Sequence, residues 1–225
     1  MASTTAALIA LRGNLAEAEA PILRALRFRL KFPFNGRLYS KISWMGLSRF
    51  DVQLYFQELG RALSGSYRHE ERPLSTIWLP KTKRDRLDVT ADLRRGYVEI
   101  LRQLCPAGDD PRTYAEACRG DLDALWFLSK RIHEAGNSVG ERKVQDADAE
   151  TLALYEAEAR ENHQERLVGL LKDEEQEKTV AERVRGKAEE VRLDPDIAER
   201  IFRQLVFPTT LKLEALVITR FFQRG

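Results

Sequence analysis

Apolar residues recur every three to four positions along most of the chain, a spacing typical of amphipathic helices. No segment shows the sustained alternation between hairpin turns that strands require. The first helical pattern covers residues 5–31. Pro21 within it predicts a kink or a local irregularity, because the proline ring displaces a backbone hydrogen bond. The pattern as a whole predicts an all-α fold, with about half a dozen or more helices packed as one bundle.

Helix signals divide the rest of the chain. Ser48 and Asp51 resemble a capping box and predict a second helix, followed by a long surface loop over residues 65–87 with a basic cluster at 81–86. A third helix is predicted to begin at Asp88 and to stop before Pro106. A fourth covers about residues 113–143, and Gly136–Asn137 is expected to loosen it. We predict a single domain over residues 1–225.

The C-terminal third is also predicted to be helical. Residues 149–192 are strongly helical in pattern, charged and rich in Ala and Glu. Asp194 followed by Pro195 is a standard start signal, because proline suits the first helical position. The final helix is expected to run to about Phe222, with Pro208 inside it.

Composition excludes several classes of protein. The 37 Lys and Arg residues nearly balance the 35 Asp and Glu residues, which gives no reason to expect nucleic-acid or membrane binding. No apolar run reaches the ~18 residues of a membrane span, and the N-terminus lacks the basic region of a secretory signal. Cys105 and Cys118 are too few for a disulfide framework and have no metal-ligand spacing. We therefore expect a reduced, cytoplasmic protein without a metal.

Charged or polar residues interrupt the apolar stripes of four predicted helices. Each of them, taken alone, is explained as a boundary residue whose charged end reaches solvent. Together they predict a polar site in the core of the bundle, suited to a small anionic ligand. Arginine fits a carboxylate because its fork donates two parallel hydrogen bonds. The residues are Arg12, Arg131, Glu177, Thr210 and Glu214.

These positions lie in stretches that resemble a known family, the all-helical chorismate mutases of the long, eukaryotic type. The resemblance covers nearly the whole chain, in order. The stretches that carry it are Leu11-Arg12-x-x-Leu15 continuing through Glu19 to Phe32-Pro33, then Ser129-Lys130-Arg131-Ile132-His133, then Glu177 ahead of Val180-Ala181-Glu182-Arg183, and last Phe207-Pro208-Thr209-Thr210-Leu211-Lys212-Leu213-Glu214.

The resemblance implies an isomerase that rearranges chorismate to prephenate, without a cofactor, in the biosynthesis of Phe and Tyr. It implies that Arg12 and Arg131 bind the two substrate carboxylates and that Glu177 bonds the ring hydroxyl. Asp173 and Thr210 would add polar contacts, and Glu214 would donate to the ether oxygen. Glu19 is expected to orient one of the arginines.

One departure from the family concerns its catalytic lysine, which stands eleven residues after the second arginine. Here that position is Arg142, and the lysine is Lys143. We favour Lys143, which requires one extra residue to be absorbed around Gly136–Ser138 by a π-bulge or a loosened turn. Arg142 remains the alternative.

The shifted lysine keeps two other functions open. One is an enzyme acting on a chorismate relative, such as an isochorismate pyruvate lyase or a 4-amino-4-deoxychorismate mutase. The other is a non-catalytic helical binding module. The expected partner is a small-molecule substrate, with no nucleic acid and no membrane, and a homodimer is a further expectation.

Overall fold

Helices make up nearly all of the chain that the computed structural model describes, namely residues 13–40, 48, 50, 87 and 89–223. The predicted all-α class is confirmed, and no strand occurs among those residues. Among these residues, every helix is too short or too polar to span a bilayer. The predicted second helix and the basic loop, apart from single positions at their edges, lie outside the described residues.

Residues 13–17 are helical, and the helices that follow are numbered in chain order. They are α1 (Glu19–Arg29), α2 (Gly36–Tyr39), α3 (Thr90–Leu104), α4 (Tyr114–Asp146), α5 (Ala149–Arg160), α6 (Gln164–Leu171), α7 (Glu174–Glu190), α8 (Pro195–Ile201) and α9 (Phe207–Gln223). A 3₁₀ turn at Pro111–Thr113 leads into α4, and a π-helical segment at Phe202–Val206 joins α8 to α9.

Two proline signals are confirmed. The first helical pattern is interrupted by a turn at Ala18, and Pro21 lies in the first turn of α1. Pro21 has no N–H to donate to the carbonyl four residues earlier, so the helix restarts there. At α8, the Asp194 side chain accepts from the N–H of Asp196, and Pro195 occupies the first helical position.

The expectation of a π-bulge or loosened turn around Gly136–Ser138 is wrong, because α4 is an uninterrupted α-helix of 33 residues. The glycines serve a different purpose, since they let α4 approach α9 closely. A Cβ on Gly136 would lie 2.7 Å from the Leu213 side chain, and one on Gly140 would lie 3.3 Å from the Cα of Glu214. Both contacts bring the backbone of α4 against the face of α9 that carries Glu214.

The predicted helical stretch 149–192 consists of three helices. Asn162 adopts a left-handed conformation, with φ of 57°, between α5 and α6. Asp173 begins α7, and its side chain accepts from the N–H of Gln176. These two breaks place the C-terminus of α6 beside the N-terminus of α7.

Two apolar clusters hold the helices together. The larger cluster joins α1, α3, α4, α7, α8, the π-helical segment and α9. The smaller one lies between α4, α5, α6 and α9 and consists of Val144, Tyr155, Leu167, Leu171, Ala215 and Ile218. A fully buried ion pair, Arg29 Nε to Asp121 Oδ1 at 2.6 Å, also links α1 to α4. The pair ties α1, which begins with Glu19, to α4, which carries Arg131.

Candidate active site

A cavity of about 130 Å³ opens between α4, α7, α9 and the C-terminus of α6. Six of the site residues predicted from the sequence line it, and they come from three helices and the residue that caps α7. They are Arg131, Lys143, Asp173, Glu177, Thr210 and Glu214. Arg12 lies outside the described residues, but Leu15, three positions later, also lines the cavity.

A stripe along α4 explains how the lysine reaches this cavity. Arg131, Ala135, Val139 and Lys143 all line it, at successive steps of four residues. Each such step turns the helix by about 40° beyond a full revolution, so the stripe winds slowly around α4 over about 18 Å. Lys143 therefore faces the cavity without an extra residue to absorb. Arg142 is half-buried and is not among the residues that line it.

The guanidinium of Arg131 is buried but incompletely paired. The residue is 5% exposed, and its Nε has no hydrogen-bond partner in the described structure. An oxygen of Glu19 lies 3.9 Å from Nη2, which is an ion pair but too long for a hydrogen bond. Burial lowers the pKa of Arg131 to about 10, so it stays cationic at neutral pH. A buried donor without an acceptor is costly, and an anionic ligand in the cavity would satisfy it.

Glu19 is held by two other cations. Its carboxylate is fully buried and accepts from Arg183 Nε at 2.9 Å and Nη2 at 2.6 Å, in a bidentate pair. Lys187 Nζ adds a third contact at 3.0 Å. Both α7 cations were missed as site residues from the sequence, although Arg183 also lines the cavity. Its position three residues after the buried Val180, on the same face of α7, was the available signal.

A second ion pair stands at the far end of the α4 stripe. Lys143 Nζ donates to Glu214 Oε2 at 2.8 Å and to the backbone carbonyl of Leu171 at 2.6 Å. The Leu171 carbonyl is one of the last in α6 and has no partner within its own helix. Burial raises the pKa of Glu214, which is 4% exposed, while the charge of Lys143 opposes the rise. Glu214 can therefore carry a proton more readily than an ordinary carboxyl group.

The remaining polar groups are fixed by the local backbone. The Thr210 hydroxyl donates to the Val206 carbonyl at 2.7 Å, which leaves its lone pairs as acceptors. Oδ1 of Asp173 caps α7, as described above. Glu177 lies one turn further along α7 and is half-buried at the cavity.

The described walls of the cavity carry charges of both signs. Arg131, Arg183 and Lys143 supply positive charge, while Asp173, Glu177 and Glu214 supply negative charge or acceptors; all six line the cavity. Such a wall can bind a ligand that carries both carboxylates and hydroxyl groups. Among the described residues, no group of three or more His, Cys, Asp or Glu side chains is arranged to hold a metal ion.

In comparisons with known proteins, the family model and the curated relatives that match this chain are all chorismate mutases. Residues 119–215 match the family model described as chorismate mutase type II. The chain is 24% identical to the cytosolic chorismate mutase 2 of Zea mays, over 95% of each chain. It is 28% identical to chorismate mutase 2 of Petunia hybrida, over 93% of this chain and 91% of the relative.

Solved structures have the same fold. The Candida albicans chorismate mutase in complex with L-Trp superposes with a TM-score of 0.75 at 21% identity, covering 98% of this chain and 93% of that one. The chloroplast chorismate mutase of Zea mays gives a TM-score of 0.74 at 21% identity, covering 96% and 95%. These structures confirm the helical bundle that the resemblance implied. The resemblance seen in the sequence is confirmed by the family match over residues 119–215 and by the curated relatives.

Proposed function

We propose that this protein is a chorismate mutase, an isomerase that rearranges chorismate to prephenate on the way to Phe and Tyr. Two matches to chorismate mutases over more than nine-tenths of the chain support the function, together with the family match over residues 119–215. The observation that carries the proposal is the cavity itself. It is lined by the buried Arg131, whose Nε has no partner in the described structure, and by the Lys143–Glu214 pair.

The reaction sets the requirements for the site. It is a pericyclic Claisen rearrangement, with no covalent intermediate and no cofactor. A catalyst must therefore hold the compact, diaxial conformer of the substrate. It must also stabilise the negative charge that develops on the ether oxygen as the carbon–oxygen bond breaks.

The carboxylates are held by arginines. Arg131 donates its edge N–H groups to one carboxylate, which supplies the acceptor that Nε lacks in the free protein. Arg12, which precedes the cavity-lining Leu15 by three residues, binds the other carboxylate. Glu19 positions Arg183, and through the 3.9 Å ion pair it also restrains Arg131.

The ether oxygen is bound at the Lys143–Glu214 pair. Lys143 gives its ammonium, and Glu214 gives a proton, which it can donate only in its neutral form. The buried position that raises the pKa of Glu214 favours that form. Glu177 accepts from the ring hydroxyl, and Asp173 and Thr210 provide acceptors beside it.

Product identification tests the function. Purified protein is incubated with chorismate, isochorismate and 4-amino-4-deoxychorismate in parallel, and the products are separated and identified. We expect chorismate to be the preferred substrate and prephenate to be its product. Preferred turnover of either relative would reassign the enzyme within this group, and no turnover of any of the three would indicate a binding module instead.

Two further proposals concern the cellular location and the oligomeric state of the enzyme. We propose a cytoplasmic location, supported by the cytosolic maize relative, although a chloroplast enzyme shares the fold. Imaging of a fluorescent fusion tests it, and accumulation in an organelle would contradict it. The expected homodimer stays a prediction, which sedimentation velocity tests by giving twice the 25.8 kDa chain mass or a single chain.

A further inference from the structure

An aromatic ring lies against the buried arginine of the site. The Cζ atom of Arg131 is 5.4 Å from the centroid of the Phe202 ring, within the range of a cation–π contact. Phe202 is fully buried, with 0% exposure, and it does not line the cavity. The contact is thus made away from solvent, where such interactions are strongest.

The π-helical segment gives Phe202 its place. The N–H of Phe207 donates to the carbonyl of Phe202, five residues earlier, instead of four. Pro208 follows at once and cannot donate an N–H of its own. This hydrogen bond encloses one residue more than the bond of a regular α-helix. Since each residue of an α-helix turns the chain by about 100°, the residues before the segment are rotated by about that angle relative to α9.

The ring geometry shows the effect of this turn. Residues five apart in a regular α-helix lie about 140° apart around the axis. Phe202 and Phe207 are five apart, yet their rings contact edge to face at 6.1 Å between centroids. The π-helical segment therefore places Phe202 against Arg131, while α9, which follows it directly, places Thr210 and Glu214 at the cavity.

Resting on the proposed function, we propose that Phe202 is a positioning residue for the carboxylate-binding Arg131. The ring covers one face of the guanidinium and attracts its charge. The planar group is then held so that a carboxylate must approach at its edge, where the N–H donors lie. Glu19, at 3.9 Å, is too distant to fix the orientation by a hydrogen bond. The ring thus supplies an orientation that the long ion pair with Glu19 does not.

Stepwise fluorination of one ring tests this role without changing its shape much. Phenylalanine analogues with one, two, three and five fluorine atoms are incorporated at position 202. Each fluorine withdraws electron density from the ring face and weakens its attraction for a cation. We expect log kcat/KM for chorismate to fall steadily along the series, by about tenfold to thirtyfold from Phe to the pentafluoro analogue.

The same series at Phe34 is a matched control. Arg102 lies over that ring at 5.6 Å, but it is surface-exposed and does not line the cavity. Fluorination there should leave kcat/KM unchanged. A flat series at position 202 in an enzyme with an active parent would overturn the positioning role and leave the proposed function intact. A fall in thermal stability along that series without a change in kcat/KM would overturn it too, since the ring would then only pack. An inactive parent protein would overturn the proposed function and, with it, this inference.

Discussion

Replacing Arg131 by alanine separates the role of this side chain in binding from its role in stability. The substitution removes the only described cavity cation that is both nine-tenths buried and left with an unpartnered donor. Glu19 keeps its bidentate pair with Arg183 and its contact with Lys187, so no buried carboxylate is left alone. We therefore expect the bundle to fold.

The size of the effect follows from the contacts that are lost. A bidentate arginine–carboxylate contact consists of two charge-assisted hydrogen bonds, each contributing about 1.5–3 kcal/mol. Their loss raises the barrier by about 3–6 kcal/mol, which lowers kcat/KM by about 10²–10⁴-fold. The free energy of unfolding should fall by less than about 2 kcal/mol, because the lost cation–π contact is offset by removal of a poorly paired buried charge.

Steady-state turnover of chorismate and thermal unfolding are measured side by side for the parent and Arg131→Ala. The control is Arg142→Ala, which removes an arginine from the same helix, eleven residues later, that does not line the cavity. The control should retain kcat/KM within a few-fold. A folded Arg131→Ala protein with kcat/KM near that of the parent would show that the carboxylate binds elsewhere.

Three other substitutions test the rest of the site. Lys143→Ala should lower kcat by several orders of magnitude, because it removes the cation beside the ether oxygen. Arg142→Ala should change kcat only slightly, and the reverse result would assign the role to Arg142. Because burial raises the pKa of Glu214 and the protonated form donates, activity should fall as pH rises through that pKa, and Glu214→Gln, which does not titrate, should hold its kcat further into the alkaline range. Identical alkaline limbs in the two kcat–pH profiles would exclude the donor role. Gly136→Ala places a Cβ 2.7 Å from a side chain of α9, so we expect a loss of about 1–3 kcal/mol in unfolding free energy and a lower kcat/KM. The control is Gly169→Ala, whose Cβ would meet nothing within 4 Å. Equal unfolding free energies for the two variants would contradict the close packing of α4 on α9.

The sequence predicted the start or interruption of a helix correctly where a single residue determines it. Pro21 and Pro195 each mark a restart because a missing N–H has an immediate effect on the backbone. The interruption at Asn162 was not predicted, because asparagine adopts the left-handed conformation in only some of its contexts. The π-helical segment before Pro208 was not predicted either, because the local sequence does not show that this segment packs against α3 and α7.

The site was predictable in so far as polar residues interrupt apolar stripes. Six of the predicted residues line one cavity, whereas their catalytic roles stay predictions. The irregularity expected in α4 was wrong because residue spacing alone assumes that the residues facing the site lie along one straight line of the helix. Lys143 reaches the cavity by a stripe of steps of four that winds around the helix, with Gly136 and Gly140 admitting α9 alongside it. Contacts such as Arg183 with Glu19, 164 residues apart, come only from the tertiary fold.

A crystal structure with a bound transition-state mimic would show directly whether this cavity is the active site. A stable bicyclic diacid with an ether bridge reproduces the compact geometry in which the rearrangement occurs. We predict that one carboxylate lies at hydrogen-bond distance from Nε and an Nη of Arg131. The ether oxygen should lie within about 3 Å of both Lys143 Nζ and a carboxyl oxygen of Glu214. A mimic bound outside this cavity, or bound within it with its ether oxygen facing away from Lys143 and Glu214, would show that the rearrangement is not catalysed by this pair.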